Sequence, residues 1–118
     1  MDQSIKQKSK KFAAKVVLLH RQLSARKKES VMSEELLRSG AGIGAGLVRS
    51  ECAISKSDQI AKVYNALQDC AEAKYWLELL NETGCLTEFE YNDTLKECDE
   101  LRKLLVVQIK TIGTVTSK

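Results

Sequence analysis

The chain has 118 residues, 43% hydrophobic and 30% charged, with a formal net charge of +3, which suits one domain with a single apolar core. It contains no proline; proline breaks helix interiors and marks turns, so long helices with few loops are expected. A membrane span is excluded: the longest charge-free apolar stretch, Ser39 to Val48, is flanked by Arg38 and Arg49 and is too short to cross a bilayer.

The start, MDQSIKQKSKKF, is basic, but no apolar signal core with a small-residue cleavage site follows it, so a cytoplasmic protein is expected. The cysteines, Cys52, Cys70, Cys85 and Cys98, form no closely spaced ligand pair, and the single histidine, His20, is remote from them. Zinc sites need such pairs, so free thiols, no metal and no cofactor are expected. Charge is uneven. Residues 1–30 hold Lys6, Lys8, Lys10, Lys11, Lys15, Arg21, Arg26, Lys27 and Lys28 against Asp2 and Glu29, a net +7 that leaves −4 for the rest. That imbalance suits a polyanion or an acidic partner.

In chain order, the first helix is expected from about Ile5 to Arg26. Phe12, Val16, Leu19 and Leu23 fall on one helical stripe. Lys8, Lys11, Lys15 and Arg26 cluster on one side of it, and Lys10, Arg21 and Lys28 on another. Leu18 lies between the two clusters, either as an ordinary exposed leucine or as a contact with another subunit. The second helix is expected from Ser33, read as the N-cap ahead of Glu34 and Glu35, to the region of Cys52 to Ile54.

The third helix should follow a cap at Ser55 or Ser57 and run to about Asn81, before a stop at Gly84. Its main stripe reads Ile60, Val63, Leu67, Cys70, Ala71 and Leu77. Trp76 and Leu80 point away from that stripe, as if the helix touched something beyond its own core. Thr87 and Glu90 form a T-x-x-E capping box for the fourth helix. Tyr91, Leu95, Cys98, Leu101, Leu105, Ile109 and Ile112 carry its spacing, and a frayed tail is expected over 113–118. Short connections predict an all-α, antiparallel, up-down-up-down four-helix bundle, a single domain over 1–118.

The run RSGAGIGAGLVRS places glycine at 40, 42, 44 and 46. The P-loop pattern fails because Leu47 and Val48 stand where Lys and Ser or Thr are needed to reach phosphates and magnesium, and the dinucleotide spacing fails because the glycines step by two. On a helix, Gly40 and Gly44 share one face and Gly42 and Gly46 another, so close packing of backbones is the expected use, within or between subunits. No histidine-based acid–base site, nucleophile elbow, zincin or di-iron motif is present. No enzyme and no small-molecule substrate are expected.

Three stretches, LLRSGAGIGAGLVRSE, SDQIAKVYNALQDCAEAKYWLELL and ELRKLLVVQIKTI, together resemble the four-helix-bundle family of proteins encoded in 23S ribosomal RNA intervening sequences. That family includes the accessory variability protein of diversity-generating retroelements. Where it often has Asn and then Glu late in the second helix, this chain has Gly46 and Arg49. The resemblance implies a homo-oligomer, commonly a pentamer, without catalysis, and for the retroelement branch an association with nucleic acid or reverse transcriptase.

Two readings therefore stand. In the first, Lys8, Lys10, Lys11, Lys15, Arg21, Arg26, Lys27 and Lys28 bind structured RNA or a ribonucleoprotein by its backbone rather than its bases; the same residues also fit a solvated helix face. In the second, the chain is a protein-interaction adaptor or structural oligomer whose contacts include Leu18, Arg38, Gly42, Gly46, Arg49, Trp76 and Leu80. Arg38 and Arg49 share a face and suit a carboxylate or phosphate, although a salt bridge from Arg38 to a nearby glutamate is its commoner use.

Overall fold

Apolar spacing becomes four packed helices in the computed structural model, which describes residues 3–115. They are α1 (Gln3–Gln22), extended by a π-helical turn (Leu23–Lys27), α2 (Val31–Ser50), α3 (Lys56–Glu82) and α4 (Glu88–Val115). Thr116 to Lys118, the end of the tail expected to fray, lie outside the described residues; Gly113 to Val115 continue α4. Each helix packs antiparallel on the next and α4 returns to α1, an up-down-up-down four-helix bundle 53 Å long and about 20 Å across. Among the described residues, no helix is long and apolar enough to cross a membrane.

Each connection is closed by local chemistry. Lys28 takes the left-handed conformation at φ 53°, and its N–H, with that of Glu29, bonds the carbonyl of Leu23. Such a residue normally ends a helix as glycine because a Cβ there is strained. Gly84 does that job after α3 at φ 77°. Ser55 accepts the Asp58 N–H to cap α3, and Thr87 and Glu90 exchange the expected capping-box bonds at 2.9 and 3.1 Å.

The α2 start differs from expectation. Helix begins at Val31, two residues ahead of Ser33, and the Glu29 carboxylate accepts the orphan N–H of Ser33 at 3.0 Å. Freed from capping, Ser33 is buried, donates to the Glu29 carbonyl, and lies 2.7 Å from Nδ1 of His20.

The α3 face also needs correction. Its buried residues are Val63, Ala66, Cys70, Ala73, Leu77 and Leu80, steps of three and four that average 3.4. A 3.4-residue stripe drifts around a 3.6-residue helix, so along this 27-residue helix the buried face turns toward Leu80. Leu80 is thus fully enclosed in the chain's own core and Ala71 is exposed. α3 is apolar on several sides because it lies between α2 and α4 and packs on both.

Candidate nucleic-acid interface

The glycine run is a seam inside one chain. A Cβ at Gly40 would meet Val16 Cγ2 at 3.2 Å, and one at Gly44 would meet Ser9 Oγ at 3.3 Å, both on α1. On the other face, Gly42 abuts the Asp69 carboxylate and Gly46 the Ala66 Cβ, both on α3. The alternating glycines let α2 approach two helices at once. Gly42 and Gly46, expected at a partner interface, are therefore occupied by α3 of their own chain. For Gly46, as for Leu80, burial leaves no surface to offer.

The eight basic residues singled out in the N-terminal region separate into two groups. Lys8 pairs with Glu100 at 3.6 Å, Lys15 with both Asp93 and Glu97, and Arg26 with Glu90 at 3.5 Å. These three face α4 and are matched by its acids. Burial opposes charge on Lys15, but the hydrogen bonds and charges of Asp93 and Glu97 outweigh it and raise the ammonium's pKa. Lys10, Lys11, Arg21, Lys27 and Lys28 are exposed and hold no ion pair among the described residues. Sequence alone could not separate the groups, because the acids that neutralise Lys8, Lys15 and Arg26 lie 64 to 92 positions away (Glu90 from Arg26, Glu100 from Lys8).

Arg38 takes the structural use: it donates to Glu35 at 2.8 Å and to Glu72, whose Oε2 also accepts the Trp76 indole N–H at 3.0 Å. Trp76 is half-buried and packs against the core, so its polar edge is satisfied within the chain. Arg49 is exposed without an ion pair among the described residues. Between the two arginines lies Asp69, which sequence reading passed over. Burial against the α2 backbone raises its carboxyl pKa, with Glu72 adding to the rise and the charges of Arg38 and Arg49 opposing it.

Leu18 is 56% exposed and borders a shallow groove between α1 and α4, with Phe89, 75% exposed, on the opposite wall. Phe89 was missed because it sits inside the capping sequence TEFEY rather than on the α4 stripe. Ala14, Leu19, Lys11 and Glu90 also line the groove. Cys70 and Cys98 are buried between α3 and α4 with their sulfurs 3.8 Å apart; Cys52 is exposed. No group of three or more metal-ligating side chains occurs among the described residues.

Comparison with known proteins gives a family but not an activity. The family profile described as 23S rRNA-intervening sequence protein matches residues 1–107. A crystal structure of a protein of unknown function from the S23 ribosomal protein family of Bacteroides thetaiotaomicron VPI-5482 is similar, with 42% identity and a TM-score of 0.88, over 90% of this chain and 98% of that one. No curated protein matches the chain.

Proposed function

We propose, for a chain that belongs to the 23S rRNA-intervening sequence protein family, a non-catalytic cytoplasmic bundle that associates with copies of itself and binds structured RNA or a ribonucleoprotein such as a reverse-transcriptase complex. The observation that carries the RNA reading is the division of the basic residues. Lys10, Lys11, Arg21, Lys27 and Lys28 stay exposed and, among the described residues, unpaired, while Lys8, Lys15 and Arg26 pair with α4. Unpaired, solvated cations are the ones that can release counterions from a phosphate backbone. With few exposed aromatic rings, base stacking has little platform, so binding is led by backbone and shape.

Self-association draws support from the exposed Leu18 and Phe89 flanking one groove, apolar surface that a monomer leaves in water. The pentamer implied by the family resemblance is the expected size.

A titration against a structured RNA hairpin at ~50 and ~200 mM salt tests the reading. Changing Lys10, Lys11, Arg21, Lys27 and Lys28 to Gln is expected to weaken binding at ~50 mM. Changing Lys8, Lys15 and Arg26 to Gln is expected to lower the melting temperature and leave affinity within a few-fold. No binding by the unaltered protein at ~50 mM would eliminate RNA and leave a structural oligomer or adaptor.

A further inference from the structure

The antiparallel topology sorts charge along the long axis in a way that chain order hides. One half of the bundle comprises residues 3–14, 41–68 and 100–115: the start of α1, the α2–α3 turn and the end of α4. The ion pairs Lys6–Glu51 at 3.0 Å and Lys8–Glu100 at 3.6 Å fix these segments at one level. This half holds ten Lys and Arg against three acids, a net +7. The other half, residues 15–40 and 69–99, holds eight against twelve, a net −4. The basic turn Arg26-Lys27-Lys28, prominent in sequence, therefore sits at the acidic end, while the positive pole gathers cations from all four helices.

All three acids of the positive half are already engaged: Glu51 by Lys6, Glu100 by Lys8, and Asp58 by Lys62 at 2.6 Å. That leaves Lys10 and Lys11 of α1, Arg49 at the end of α2, Lys56 at the start of α3, and Arg102, Lys103 and Lys110 of α4. All are exposed, with no ion pair among the described residues. From the level of the Lys8–Glu100 pair to Lys110 is ten residues, about 15 Å of helix. The unpaired cations thus cover the end of a bundle about 20 Å across, with no unpaired acid among the described residues to interrupt them.

We infer that this pole, rather than the length of α1, is the principal phosphate-binding surface, and that its ligand is a nucleic-acid backbone. The inference rests on the RNA reading above and relocates its site. A second copy offering its acidic half is the less suitable occupant. There six of the twelve acids are held internally, Glu35 and Glu72 by Arg38, Asp93 and Glu97 by Lys15, Glu90 by Arg26, and Asp99 by Lys74 at 3.3 Å, which leaves Glu34, Glu78, Glu82 and Glu88 exposed and divided among three helices. A phosphate backbone brings no such internal competition, and each contact it makes releases counterions.

Three proteins titrated with a ~20-base-pair RNA duplex between ~50 and ~200 mM salt decide the matter: unaltered chain, a pole variant (Lys56, Arg102, Lys103 and Lys110 to Gln) and a turn variant (Arg21, Lys27 and Lys28 to Gln). None of the changed residues holds an ion pair among the described residues, so both variants should fold, which their thermal melts check. The pole variant is expected to bind at least ~10-fold more weakly at ~50 mM. Its plot of log K against log salt should be shallower by about 3.6, the slope that four phosphate contacts on a duplex supply; the turn variant should stay within a few-fold. A pole variant with unchanged affinity and slope, beside a turn variant that loses binding, overturns the inference and leaves the RNA reading standing. Absence of binding by the unaltered chain overturns both. Loss of self-association in the pole variant, seen by sedimentation without RNA, assigns the surface to a second copy and overturns it too.

Discussion

Gly46 of α2 lies so close to Ala66 of α3 that a Cβ at position 46 would stand 3.2 Å from the Ala66 Cβ and 3.6 Å from its Cα. Neither atom can rotate away, so the helices must separate to admit a methyl group. Gly46→Ala gains about 0.5–1 kcal/mol of helix propensity but overpacks the seam at a cost of about 1–3 kcal/mol. A net loss of about 1 kcal/mol is expected by urea denaturation. Gly42→Ala is the contrasting case. Its Cβ would meet the Asp69 carboxylate at 2.6 Å, the mobile end of a side chain, so stability should be unchanged or slightly higher.

Lys28 holds a left-handed conformation at φ 53° where glycine carries no strain. Lys28→Gly should raise stability by about 1 kcal/mol, the typical penalty of a Cβ in that region. A rise in the urea midpoint without a change in slope would show it. An unchanged midpoint would mean that the π-turn relaxes the strain.

Much of this was legible in the sequence. Absent proline, capping residues at Ser55 and Thr87 and helical apolar spacing gave four helices in their places, and the failed phosphate motifs left packing as the use of the glycines. The illegible parts are those set by neighbours distant in sequence. Whether Lys15 is free or spent depends on Asp93 and Glu97; whether Leu80 is inside depends on the slow rotation of a 27-residue helix. Ser33 reads as a cap because cap chemistry is local, yet the helix starts at Val31 and leaves Ser33 inside its first turn.

Asp69 gives a pH signature. Burial against α2 raises its folded-state pKa above the unfolded value, so the folded state holds the proton more tightly. The stability that this protonation contributes is full below the unfolded carboxylate range and is lost as pH rises through the folded pKa. Asp69→Asn cannot ionise. Its stability relative to the unaltered protein should therefore increase from about pH 4 toward neutrality, as measured by denaturation at each pH. A constant difference across that range would show that the carboxyl is not perturbed.

The thiols should separate by accessibility. Cys98 is pushed well up in pKa by its hydrogen bond with Cys70 and by burial, and both are 1% exposed, so neither presents a thiolate to solvent. A chromogenic disulfide reagent at pH 8 should modify Cys52 first, and Cys70 and Cys98 only at the rate of unfolding. Rapid modification of all four would contradict the packing of α3 on α4.

The most direct measurement is backbone NMR of the labelled protein during titration with a short RNA duplex. Binding at the positive pole predicts shifts at Lys10, Lys11 and Lys56 and along Arg102 to Lys110 that fade as salt is raised. Shifts confined to the Arg21–Lys28 turn, or to the groove at Leu18 and Phe89, would contradict it.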